Sequence, residues 1–76
     1  MTYYLRFQND YLEDAVGYRS KTAALEVFRD TAAELSRYDQ QVEATIHIAP
    51  RRAEIAEYPD FVLSLGPRGG VRCEAA

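Results

Sequence analysis

The chain has 76 residues, with 12 acidic side chains against 9 basic ones, a formal net charge of −3, one His and one Cys. A chain of this length is one domain that buries only roughly 60% of the surface its unfolded form exposes; its single Cys73 excludes an internal disulfide, and one His with one Cys cannot supply a zinc site. No apolar run approaches the ~20 residues of a membrane span, Met1 to Phe7 lack the layout of a signal peptide, and the mildly acidic balance disfavours a non-specific polyanion binder. The expectation is a single cytoplasmic domain over residues 1–76, without metal or cofactor, whose small core leaves self-association as the available supplement. Lys21 is the only lysine, and this preference for arginine is what a GC-rich bacterial coding source produces without functional selection.

At the N-terminus Tyr3, Leu5 and Phe7 alternate with Tyr4, Arg6 and Gln8, the period of a strand with one face turned to a core. Asn9 to Asp14 is polar and turn-rich. Ala15 to Arg19 reads as the return strand of a hairpin, with Gly17 marking a weak or bulged position.

Ser20 is a good N-cap, and the residues after it run to Tyr38 without Pro or Gly. Leu25, Phe28, Ala32 and Leu35 form one apolar stripe, widened by Ala24 and Tyr38, so a single amphipathic helix is predicted over about 20–38. Its other face carries Glu26, Arg29, Asp30, Glu34 and Arg37, which a solvated surface explains.

After a turn at Asp39 and Gln40, Val42, Ala44, Ile46 and Ile48 alternate with Glu43, Thr45, His47 and Ala49, the strongest strand signal in the chain. Pro50 stops it. Arg51 to Tyr58 is either an irregular loop or a helical turn or two around Ile55, ended by Pro59. Phe61 to Leu65 and Val71 to Glu74 are two strands joined by Gly66-Pro67-Arg68-Gly69-Gly70, where Pro at the second turn position and Gly at a positive φ fit a tight hairpin. A phosphate-binding loop would need a Lys and a hydroxyl leading into a helix, so this segment reads as turn geometry with Arg68 at its tip.

The order β-(β)-α-β-β predicts an α+β two-layer sandwich, with the helix on one face of a three- to four-stranded, mainly antiparallel sheet. If the apolar strand residues face the helix, Tyr4, Arg6, Gln8, Thr45 and His47 look outward, joined by Arg72 and Glu74. Tyr and Arg are enriched at binding hot spots, while Tyr and Thr also decorate sheets that bind nothing.

His47 is the default general base but has no nucleophile or orienting carboxylate at a recognisable spacing, and Cys73 lacks the context of a thiol enzyme. The leading reading is a non-enzymatic protein-binding module or homodimer that uses the outer face and the hairpin tip, through Tyr4, Arg6, Thr45, His47, Arg68 and Arg72. The alternative is a nucleic-acid-binding accessory protein in which Arg51 and Arg52 join Arg6, Arg68 and Arg72 in one basic patch; a third is a small enzyme centred on His47. No stretch matches a family motif.

Overall fold

The computed structural model describes residues 1–38 and 41–76, the side chain of Tyr38 excepted. Five strands make one sheet: β1 (Thr2–Phe7), β2 (Val16–Tyr18), β3 (Glu43–Ala49), β4 (Phe61–Leu65) and β5 (Val71–Ala75), in the order β2-β1-β3-β4-β5 with every neighbouring pair antiparallel. Among the described residues one α-helix, α1 (Lys21–Leu35), packs on one face, so the molecule is the expected α+β sandwich, with five strands where three to four were predicted.

Local sequence explains each element. The Ser20 hydroxyl accepts the Ala23 N–H at 3.1 Å and starts α1 one residue later. The α-helix ends at Leu35 and continues as a 3-10 turn over Ser36–Tyr38, where the predicted helix ran on unbroken. Its fully buried line is Ala24, Phe28 and Ala32, four residues apart, with Leu25 and Leu35 half-buried at its flanks. Small residues at 24 and 32 let the helix lie close to the sheet, and Phe28 fills the gap between them. The Tyr38 side chain and the expected turn at residues 39–40 lie outside the described residues.

Beneath the helix, Leu5, Val42, Ala44, Ile46 and Leu63 complete the core, and the Phe7 ring stacks on Phe28 with centroids 5.9 Å apart. Lys21 sets its ammonium 4.1 Å from the Phe61 ring centroid, capping the apolar layer at the helix N-terminus. Gly17 is not a bulge: it pairs with Tyr4 in regular register. A Cβ there would stand 2.8 Å from the Thr2 methyl and 3.1 Å from the Tyr4 ring, so the close approach of that ring explains the glycine.

The β4–β5 hairpin turns as predicted. Gly69 N–H donates to the Gly66 carbonyl at 3.0 Å, Gly66 N–H donates to the Gly70 carbonyl at 2.7 Å, and Gly69 has φ of 81°. This is a type I turn with Pro67 at its second position followed by a left-handed residue. Of the expected alternatives for residues 51–58, the chain takes a single 3-10 turn at Arg52–Glu54 and is otherwise irregular. No helix among the described residues is long and apolar enough to cross a membrane.

Candidate functional site

The strand register decides which side chains share the face opposite α1. Tyr4 pairs with His47, Arg6 with Thr45, Thr45 with Val62, and Val62 with Glu74; one step along, Glu43 pairs with Ser64 and Ser64 with Arg72. These residues alternate with the helix-facing ones, so Tyr4, Arg6, Thr45, His47, Arg72 and Glu74 lie on the outer face as the sequence predicts.

The face is nevertheless divided in two. Near the Ala49 end it is covered by the chain itself, which corrects the expectation that Tyr4 and His47 are exposed: Tyr4 is 7% exposed and His47 1%. The cover is the segment between β3 and β4, meeting the connection between β1 and β2. Ile55 packs against Tyr4, Ala15 and Ala49. Arg52 donates from Nη1 to the Glu13 carbonyl at 2.8 Å and lies 5.3 Å from the Tyr4 ring centroid. His47 Nδ1 is 2.9 Å from the Ala56 carbonyl oxygen, and Nε2 is 3.0 Å from the Thr45 hydroxyl. A carbonyl only accepts, so Nδ1 carries a proton, and in the neutral ring Nε2 accepts from Thr45. Both ring nitrogens are therefore engaged: Nε2 with Thr45 on the same strand, which orients the ring, and Nδ1 with Ala56 of the cover, so that His47 serves as a bracket between β3 and the segment that folds over it.

The other half of the face is open. There Val62 is 41% exposed and is flanked across the sheet by Thr45 and Glu74. Arg6 beyond Thr45 is half-buried, and its Nε is shut off from solvent with no hydrogen-bond partner among the described residues. A guanidinium N–H left unpaired costs free energy until an acceptor reaches it. Beside it is a cleft of about 110 Å³ lined by Arg6, Gln8, Glu43, Ala44, Thr45 and Val62. Arg6, Glu43, Arg72 and Glu74 alternate in sign around Val62 and Ser64, so their formal charges sum to zero. Larger clefts lie elsewhere: one of about 390 Å³ on the outside of the cover, between Tyr11, Arg52 and Ile55, and one of about 300 Å³ where Leu35 and Thr31 of α1 meet Gln8 and Asp10. His47 lines none of these.

The five arginines do not converge. Arg51 and Arg52 follow β3 at the end of the sheet where Thr2 pairs with Ala49; Arg68 tips the hairpin at the opposite end, where Leu65 pairs with Val71. Arg51 is engaged with Glu54, Nε to Oε2 at 3.2 Å, and Arg52 with Glu13 and Tyr4. Arg6, Arg68 and Arg72 share the open half and its adjoining tip.

Two contributors escaped the sequence reading. Val62 stands out of phase with Phe61, Leu63 and Leu65, and only the period-2 pattern with a polar Ser64 beside it signals that it faces away from the helix. Asp60 accepts the Ile48 N–H through its carboxylate at 2.7 Å while its own N–H donates to the Ile46 carbonyl at 2.8 Å, so a side chain continues the β3–β4 ladder past the last backbone pair. Its position directly after Pro59 and before a strand is the one available cue.

No family model matches the chain, nor does any curated protein or solved structure.

Proposed function

We propose that this protein is a small non-enzymatic protein-binding module of the bacterial cytoplasm, which receives a partner on the open half of its outer sheet face and on the adjoining hairpin tip. The observation that carries this reading is that an exposed Val62 and Arg6, whose buried Nε has no hydrogen-bond partner among the described residues, line one small cleft together. An apolar anchor next to an unsatisfied, partly desolvated donor is what a protein segment fills, with an aliphatic side chain over Val62 and a carbonyl or carboxylate oxygen on Arg6. The neutral sum and alternating sign of Arg6, Glu43, Arg72 and Glu74 suit a mixed-charge protein surface better than a polyanion. Arg68 and Arg72 would form the rim. Tyr4, Thr45 and His47 act from beneath, keeping the cover and the strand spacing in place.

The test is a comparison of the wild type with Arg6→Ala and Val62→Glu against partners enriched from the native host and then purified. Binding measured by calorimetry is expected to weaken by at least about tenfold in each variant, while Glu34→Arg on the far side of α1 leaves it unchanged. A purified partner that binds all four proteins equally would overturn the reading.

A further inference from the structure

The open edge of the sheet points to a specific partner. We infer that β5 pairs, antiparallel and in one register, with β5 of a second copy of this chain, joining two five-stranded sheets into a continuous one. This deepens the protein-binding reading, on which it rests, by naming the partner as a second copy that uses the main-chain edge beside the outer face.

The hairpin fixes which backbone groups are available. Gly66 N–H bonds to the Gly70 carbonyl, and antiparallel pairs alternate, so Arg72 and Glu74 direct their N–H and C=O groups toward β4. Val71, Cys73 and Ala75 direct theirs to the free side. Edge strands that avoid pairing are shortened, bulged, or guarded by Pro or by charges, Lys above all. The charges of β5, Arg72 and Glu74, are opposite in sign, so they guard against a second copy only in registers that set like beside like. β5 has five residues and neither Pro nor Lys.

The side chains then select the register. A two-fold axis at Cys73 sets Arg72 opposite Glu74 of the second copy and Glu74 opposite its Arg72, with Val71 opposite Ala75. Both charged pairs fall at the closely spaced, non-hydrogen-bonded positions, where Cα atoms are roughly 4.5 Å apart. Shifting the axis to Arg72 or to Glu74 sets like charges opposite each other, which is unfavourable. Neither Arg72 nor Glu74 forms an ion pair within the chain among the described residues.

The helix side of the seam is complementary as well. Val71 and Cys73 are half-buried and Ala75 is exposed, an apolar row left incomplete at the edge. A cleft of about 340 Å³ lined by Thr22, Leu25, Glu26, Arg29 and Val71 runs beside it. A second β5 would extend that row and cover it.

Sedimentation of the full chain from micromolar to millimolar concentration tests the pairing. The wild type is expected to dimerise, and a short bis-maleimide is expected to link Cys73 to Cys73, a product absent from Cys73→Ser. Arg72→Glu and Glu74→Arg alone should each dimerise at least about tenfold more weakly. Mixing these two variants should yield a heterodimer, because all charges opposite each other are then unlike, and the double variant should recover the homodimer. A wild type that stays monomeric throughout overturns the inference. So does a dimer indifferent to all the charge changes, and a dimer of that kind that dissociates with Val62→Glu would leave the outer-face reading standing alone.

Discussion

Asp60 shows how much one side chain can carry where a backbone ladder ends. Its carboxylate takes the Ile48 N–H that a further residue of β4 would otherwise have accepted, and its backbone also receives the Ala76 N–H at 3.1 Å. Replacing it with Ala leaves the Ile48 donor to solvent and is expected to cost about 1 kcal/mol in urea denaturation. Asp60→Asn keeps a carbonyl acceptor and should cost less; equal losses in the two variants would show that the hydrogen bond contributes nothing. The place of Asp60 between Pro59 and a strand was the only cue to this role, because a carboxylate substituting for a backbone carbonyl leaves no trace in periodicity. The Ser20 cap, by contrast, was legible, since a hydroxyl immediately before an uninterrupted run of helix formers has few other uses.

Among the elements, the segment between β3 and β4 departs most from what the sequence implied. Pro50 and Pro59 mark its ends, yet its docking depends on contacts between distant positions: Arg52 to the Glu13 carbonyl, His47 to the Ala56 carbonyl, and Ile55 against Tyr4, Ala15 and Ala49. Alternation in β1 and β3 shows which residues share a face, as it did for Tyr4, Thr45 and His47, but it does not report what lies on that face. Hence the strands, the helix and the hairpin turn were readable, while the division of the outer face was not. His47→Ala removes the bracket and leaves the Ala56 carbonyl without its donor. The expected result is local undocking, read as tryptic cleavage after Arg51 or Arg52 that accelerates by about tenfold or more at temperatures where the helical circular dichroism signal is intact. Cleavage that rises only with global melting would contradict the bracketing role.

In the molecule as a whole, the larger of the two core clusters among the described residues contains Phe28, fully buried on the line of Ala24 and Ala32 and stacked on Phe7. Phe28→Ala is expected to cost about 3–5 kcal/mol, comparable with the entire stability of a domain this small. The variant should lack a cooperative melt at 37 °C or show a Tm lower by well over 10 °C, at roughly 4–8 °C per kcal/mol; a shift of only a few degrees would mean that the core can collapse around the lost ring. The two edges of the sheet on top of this core are unequal. β2 offers only three residues, one of them the glycine under the Tyr4 ring, whereas β5 offers five. With the proposed β5–β5 pairing, such a sheet would act as a chain-terminating monomer: once two long edges had met, only stubs would remain outside, and addition would stop at a closed pair instead of running on into a fibre.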